Sequence, residues 1–149
     1  MAKDIIPTYS LKEDIRDIDS SIFKHYSTHE GEKNTTVIGK LSVIDSNHCL
    51  WDSFLIKIEI TQPYPYVFPT LFEIGGHIPK IEDRHINEDG SCCTCPEPEY
   101  LIACKYGIRI DTFLSEYALP FFANQVFFEQ EGYFPSEYSH GEMGIFEFF

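Results

Sequence analysis

Positive charge is scarce in this chain, and the scarcity limits its partners. Its 149 residues carry 11 Lys and Arg against 24 Asp and Glu, so the formal net charge is −13 at pH 7. A surface this acidic repels the phosphates of nucleic acids and of anionic membranes. We therefore expect neither nucleic acid nor a membrane as a partner, and we expect a protein with a basic face instead.

The chain also lacks long hydrophobic runs, repeats and linkers. No apolar run approaches the roughly 18 residues that a membrane span requires, and residues 1–7 lack the apolar core of a signal peptide. Without a Gly/Ser linker, we predict a single domain over residues 1–149, long enough to bury a core. A hydrophobic content of 43% argues against a disordered chain.

Cysteine is present, but not as a disulfide framework. The five cysteines are an odd number, and Cys92, Cys93 and Cys95 lie within four residues. Adjacent cysteines do not easily bridge each other. The sequence thus predicts reduced thiols and a cytoplasmic location.

The N-terminal part predicts one helix, from about Ser10 to Ser27. Ser10 is a suitable N-cap residue, with Glu13 three positions later as in a capping box. Gly31 lies in a polar stretch that is expected to follow the helix. Apolar residues recur at helical spacing along the helix: Leu11, Ile15, Ile18, Ile22 and Tyr26.

Three strands are predicted next, over Thr35–Ile44, Cys49–Ile60 and Thr70–Ile74. Apolar and polar residues alternate in the second, which is typical of a strand with one buried face. A turn at 45–47 separates the first two. An extended corner precedes the third, because proline forbids helix and withholds ladder hydrogen bonds: Pro63, Pro65 and Pro69.

The C-terminal half shows less periodicity. A long ordered loop is predicted from His77 to about Tyr106, and such loops are often functional. Asp111 is the expected N-cap of a second helix, which Pro120 must kink or split. Residues 132–149 have no clear period. This order of elements predicts an α+β fold: a helix, antiparallel strands, a loop and a second helix.

The segment after the corner carries residues suited to chemistry. His85-Ile-Asn87 is followed closely by Asp89-Gly90 and then by the adjacent Cys92 and Cys93. A thiol that meets an acyl group beside an amide side chain suits thioester formation. The pattern therefore indicates an enzyme of thioester chemistry.

These residues together resemble the ubiquitin-conjugating enzymes. Residues 64–69 are similar to the family's Tyr-Pro…Pro corner, residues 85–87 to its His-Pro-Asn triplet, and residues 90–93 to its Gly-x-Ile-Cys segment. The resemblance implies a ubiquitin-conjugating (UBC-like) fold. That fold has an N-terminal helix, a four-stranded antiparallel meander, an active-site loop and C-terminal helices.

The chain resembles one subgroup more closely: short bacterial conjugating proteins of type II CBASS anti-phage operons, which also encode a cyclic-oligonucleotide synthase. Residues 87–93, 120–125 and 139–145 carry this likeness. It implies an enzyme that forms a cysteine thioester with the C-terminus of a partner protein and transfers it to an amine. The implied partner is the synthase, and no cofactor is implied.

Three features depart from the family. Ile86 replaces the central proline, and Asn87 lies six residues before Cys93, a shorter spacing than in the eukaryotic enzymes. The predicted first helix is also acidic where eukaryotic relatives use basic residues to dock an activating enzyme. We therefore do not expect docking to the usual activating enzyme.

Cys93 is the candidate nucleophile, because it stands three residues after Gly90 as in the family, and Cys95 is the second candidate. The alternative is a structural cysteine, since free cysteine is often buried. Cys92 is expected to point away from Cys93 and pack inward. Acidic neighbours disfavour a thiolate and predict a thiol that reacts mainly in a docked complex: Glu88, Asp89, Glu97 and Glu99.

Asn87 and His85 complete the candidate catalytic set. The Asn87 amide would donate to the oxyanion that forms at the thioester, or it caps the loop backbone, as loop asparagines commonly do. His85 is interpreted as a residue that bonds loop carbonyls, with a general base as the alternative. His140 and His77 are interpreted as structural.

Two alternatives to an enzyme are also compatible with the sequence. One is an inactive binding module with the same fold. The other is a zinc-stabilised scaffold, for which the chain offers soft ligands. Paired C-x-x-C knuckles are missing, so no metal is expected at this set: Cys92, Cys93, Cys95, Cys104 and His85.

Overall fold

A four-stranded antiparallel sheet forms the centre of this α+β protein, as seen in a computed structural model that describes residues 10–95 and 97–135, without the side chain of Glu97. The strand order is β1-β2-β3-β4, so each strand pairs with its neighbour in the chain. The three predicted strands are confirmed to within one residue, and β1 is the additional strand that the resemblance implied. The bounds are Phe23–Glu30 (β1), Asn34–Ile44 (β2), Leu50–Thr61 (β3) and Thr70–Glu73 (β4).

The first helix is much shorter than predicted. Helix α1 spans Leu11–Arg16, and the Ser10 hydroxyl caps it by accepting the backbone N–H of Glu13 at 3.2 Å. The N-cap is thus confirmed. The continuation of the helix to Ser27 is wrong, because the chain turns after Asp17 and enters β1 at Phe23.

Local side-chain hydrogen bonds explain this early end. The Asp19 carboxylate accepts both the backbone N–H and the hydroxyl of Ser21, at 2.9 and 2.8 Å. Asp and Ser side chains that bond nearby backbone in this way compete with helix. Two aromatic residues of the predicted helix still contact each other, since the ring of Tyr26 on β1 stacks on that of Phe23. Gly31 belongs to the β1–β2 hairpin rather than following a helix.

The predicted loop between His77 and Tyr106 contains two helical elements. A 3-10 turn spans Glu82–Arg84, and helix α2 spans Glu97–Tyr106. Helix α2 shows no apolar periodicity because it buries no continuous apolar stripe. Four of its large apolar residues are 40–74% exposed: Tyr100, Leu101, Ile102 and Tyr106.

The C-terminal helix is split, as predicted from Pro120. Helix α3 spans Ile110–Phe113, a π-helical turn spans Leu114–Ala118, and α4 spans Leu119–Glu131. Proline has no N–H to donate into the preceding turn, and π-helical turns are one way in which helices absorb such a defect. Asp111 is not the N-cap: the helix starts at Ile110, and the Asp111 carboxylate accepts the N–H of Thr112.

The core lies between one face of the sheet and α3 with α4. Alternate residues of β3 are buried, as its pattern predicts, and the ring of Phe54 packs 4.5 Å from that of Phe122 on α4. The largest fully buried side chains include Phe23, Phe54, Phe113, Phe122, Ile56 and Ile58.

Among the described helices, none is both long and apolar enough to cross a membrane.

Tyr64 ties the proline corner to α1 and to the start of α3. Its hydroxyl donates to Asp14 of α1 at 2.7 Å and accepts the N–H of Ile110 at 2.8 Å. Arg109 also donates to Asp14, at 2.6 and 3.2 Å. Burial pushes the pKa of Asp14 up, but Arg109 and Tyr64 more than offset it, so that pKa lies below its usual value.

Removing this hydroxyl is expected to destabilise the fold. Tyr64→Phe leaves the buried Asp14 carboxylate and the Ile110 N–H each without one partner, which costs about 1–3 kcal/mol. The matched control is Tyr66→Phe, because Tyr66 is 42% exposed and its loss is expected to cost less than about 0.5 kcal/mol. Urea unfolding of both variants measures the difference. Equal stability of the two variants would show that the Tyr64 hydrogen bonds contribute little.

Candidate active site around Cys93

Residues 85–93 form a short hairpin. Cys93 donates its backbone N–H to the carbonyl of His85 at 2.9 Å, and Asn87 donates its own to the carbonyl of Ser91 at 2.8 Å. Between them, Ile86 and Cys92 pair as an isolated antiparallel bridge. The hairpin explains how His85 and Asn87 are brought beside Cys93 despite the short spacing.

The tip of the hairpin is shaped by Asp89 and Gly90. Gly90 adopts a positive φ of 92°, which glycine tolerates without steric cost, and its N–H reaches the carbonyl of Asn87 at 2.9 Å. The Asp89 carboxylate accepts the N–H and the hydroxyl of Ser91, at 2.9 and 2.6 Å. These hydrogen bonds hold the pKa of Asp89 below its usual value.

The cysteine-bearing side of the hairpin also pairs with β4. Cys92 donates its N–H to the carbonyl of Leu71 at 2.8 Å, and Ser91 bridges to Phe72. Successive side chains of an extended segment point to opposite sides. Cys92 is accordingly buried in the core, as predicted, and burial raises its pKa to about 12. Cys93 is partly exposed.

A cleft of about 200 Å³ lies over this segment. It brings together three of the four candidate catalytic residues, namely Cys93, Asn87 and Cys95. Its walls come from the corner, the hairpin and the first turn of α2. The remaining lining residues are Phe68, Pro69, Thr70, Ser91, Cys92, Thr94 and Tyr100.

Asn87 is exposed at the rim of this cleft. Its amide donates to the hydroxyl of Ser91 at 3.0 Å, which fixes the side chain on the hairpin. An amide nitrogen carries two N–H groups, so this bond uses one of them. The arrangement suits a residue that stabilises the loop, and it also holds an amide donor in the cleft that Cys93 lines.

His85 contributes to the site through its backbone, while its ring packs outside the cleft. Its backbone carbonyl accepts the N–H of Cys93, while its ring packs edge-on against Phe134 with 4.7 Å between ring centroids. The residue adopts a left-handed conformation, with φ of 63°. Its ring is not among the groups that line the cleft, so the described geometry favours the structural interpretation over a general base.

Cys95 is held less favourably for nucleophilic attack. Burial and the nearby Glu99 carboxylate raise its pKa to about 12, and its sulfur lies 3.9 Å from Glu99 Oε2. A hydrogen bond to the Tyr117 hydroxyl lowers this pKa only in part. The thiolate is the nucleophilic form, so Cys95 is protonated at neutral pH and is the weaker candidate.

Sequence reasoning missed the buried pair that positions the hairpin. Gln125 on α4 accepts a hydrogen bond from Arg84 Nε at 2.9 Å and donates to the Arg84 carbonyl at 2.8 Å. Arg84 immediately precedes His85, so α4 fixes the start of the hairpin. Gln125 lies in the 120–125 motif, which was the one available signal; nothing in the sequence marks Arg84 as buried.

The cysteines and His85 do not assemble a zinc site in the described part of the chain. Their ligand atoms do not form a converging group of three, so the zinc-scaffold alternative gains no support from this geometry. His140, interpreted as structural from the sequence, lies outside the described residues.

Comparisons of the chain with family models, with curated proteins and with solved structures find no match. The family resemblance is therefore a prediction that rests on the motifs and on their geometry here.

The burial of the thiols predicts an order of alkylation. With iodoacetamide at mildly alkaline pH, Cys92 and Cys95 are expected to react roughly tenfold or more slowly than the exposed Cys49, because both pKa values are raised and Cys92 is also buried. Cys93 is expected to react faster than Cys92 and Cys95. Peptide mass mapping of briefly labelled native protein measures the order, with urea-unfolded protein as the control. Labelling of Cys95 ahead of Cys93 would reverse their ranking as nucleophiles.

Proposed function

We propose that the protein is a ubiquitin-conjugating-like enzyme that carries an acyl group as a thioester on Cys93. The observation that supports this most is the fixed outward position of Cys93 beside Asn87 in a cleft. Cys92, one residue earlier, is buried in the core. Of the two adjacent thiols that line the cleft, only Cys93 is partly exposed, so it is the one that an incoming carbonyl group reaches.

The proposed reaction has two acyl transfers. A thiol does not displace hydroxide from a free carboxylate at a useful rate, so the partner's C-terminus must arrive activated, as an acyl-adenylate or as a thioester on another protein. Cys93 Sγ attacks the carbonyl carbon, and AMP or the other thiol leaves. A lysine amine then attacks the Cys93 thioester, loses a proton, and releases the Cys93 thiol.

The proposed acyl donor is the cyclic-oligonucleotide synthase of a CBASS anti-phage operon. Support for this partner comes from the resemblance in residues 87–93, 120–125 and 139–145. The net charge of −13 supports a protein partner with a basic contact face over nucleic acid. Modification of the synthase would then prime anti-phage signalling.

Trapping the covalent adduct tests the proposal. Cys93→Lys, expressed together with the cyclic-oligonucleotide synthase in the native host, where the component that activates the synthase C-terminus is present, is expected to accumulate an adduct that resists reducing agents. Intact mass should equal the sum of the two proteins less one water, since the engineered lysine forms an amide. Wild-type protein is expected to show only a reductant-sensitive thioester.

The matched control is Cys95→Lys, which changes the second thiol of the cleft. An adduct on Cys95→Lys and not on Cys93→Lys would move the nucleophile to Cys95. Retained binding of the synthase without an adduct on either variant would leave the inactive binding module as the function.

The two interpretations of Asn87 are separable with three variants. If its amide stabilises the oxyanion, Asn87→Ala and Asn87→Asp both slow single-turnover transfer to lysine by roughly 10²–10³, since neither side chain donates. Ser91→Ala removes the partner that holds the amide on the hairpin and is expected to slow transfer far less. Single-turnover rates, with circular dichroism to verify folding, give the answer. Equal losses for Asn87→Ala and Ser91→Ala would assign Asn87 to loop support.

A further inference from the structure

A second cluster of chemically active side chains lies where β3, the segment after β4 and α4 meet. Asp52, His77 and Glu129 each contribute one atom to a group in which all three atoms lie within 4.8 Å of one another. The Nε2 atom of His77 lies 3.4 Å from Asp52 Oδ2 and 3.1 Å from Glu129 Oε2. None of these residues belongs to the candidate active site or to the motifs of the sequence.

We propose that Asp52, His77 and Glu129 bind a divalent transition-metal ion, with zinc as the preferred ion. Zinc takes imidazole nitrogen at about 2.0–2.1 Å and carboxylate oxygen at about 2.0–2.2 Å. Two such ligands in tetrahedral array lie roughly 3.3 Å apart, close to the spacings between His77 and each carboxylate. One imidazole and two carboxylates supply three protein ligands and leave a fourth position for water, which is the ligand count of catalytic zinc sites.

Two of the three ligands, Asp52 and His77, are held by further contacts. The other Asp52 oxygen accepts the N–H of Ser53 at 2.7 Å. The backbone N–H of His77 donates to the buried Glu73 at 3.1 Å, and its ring packs 4.6 Å from that of Phe54. Such outer contacts orient metal ligands and reduce the entropy lost on binding.

Charge and access also suit a cation. Two carboxylates face one imidazole, and all three side chains are 31–34% exposed, so hydrated ions reach them from solvent. Arg84 donates to Glu129 at 3.4 Å and competes for that oxygen, so the ion is expected to exchange rather than to be held permanently.

Metal binding is tested on the full chain with zinc and with cobalt. Isothermal titration with Zn²⁺ is expected to show one site that His77→Gln weakens at least tenfold. His29→Gln, which changes an exposed histidine of β1 outside the cluster, is the matched control and is expected to bind like wild type. Cys93→Ser is expected to bind like wild type too, which separates this site from a zinc site on the cysteines and from the thioester proposal.

Cobalt gives an independent signature of the ligands. The Co²⁺ spectrum is expected to lack the charge-transfer band of a cobalt–thiolate bond. If His77→Gln does not fold, Asp52→Asn provides the same comparison. Binding that is equal in wild type and both cluster variants, or a thiolate band, would overturn the proposal. Absence of binding to wild type would also overturn it, and would leave the three side chains as a polar cluster without a metal ion.

Discussion

Two backbone hydrogen bonds determine the character of the candidate site. The N–H of Cys92 is bound by the carbonyl of Leu71 on β4, and the N–H of Cys93 by the carbonyl of His85. Held from both sides, the segment is extended, and an extended chain must place neighbouring side chains on opposite faces. One thiol therefore enters the core and the next one lines the cleft. No other feature is needed to explain why adjacent cysteines have such different environments.

That arrangement depends in turn on α4. The backbone carbonyl of His85 holds the hairpin, and His85 follows directly after Arg84. Gln125 binds both the carbonyl and the side chain of Arg84. A buried guanidinium is costly unless its donors find partners. Gln125, Glu129 and the face of the Phe128 ring supply such partners. The helix that completes the core thus also sets the position of the cleft.

The sequence predicts the structure well where one local rule dominates. Alternation in β3 and the proline at position 120 gave the strand and the split helix correctly, because burial and a missing N–H act at the residue itself. The predicted first helix is too long because the Asp19 carboxylate accepts hydrogen bonds from Ser21. These local bonds outweigh the apolar spacing that favours a helix. Helix α2 was missed since its apolar residues are exposed, leaving no stripe to detect.

The site shows the same division between local and distant contacts. The proximity of Asn87 to Cys93 follows from residues a few positions apart. Three other contacts join residues that are distant in sequence: Cys92 with Leu71, Arg84 with Gln125, and His77 with Asp52 and Glu129. Glu129 connects the metal-ligand cluster with Arg84, since it faces His77 and also accepts a hydrogen bond from Arg84. A cation bound at the cluster would therefore compete with Arg84 for one carboxylate. Because Gln125 still binds Arg84 at two atoms, this competition would leave the hairpin anchored, so that metal binding and acyl transfer are expected to be separable properties.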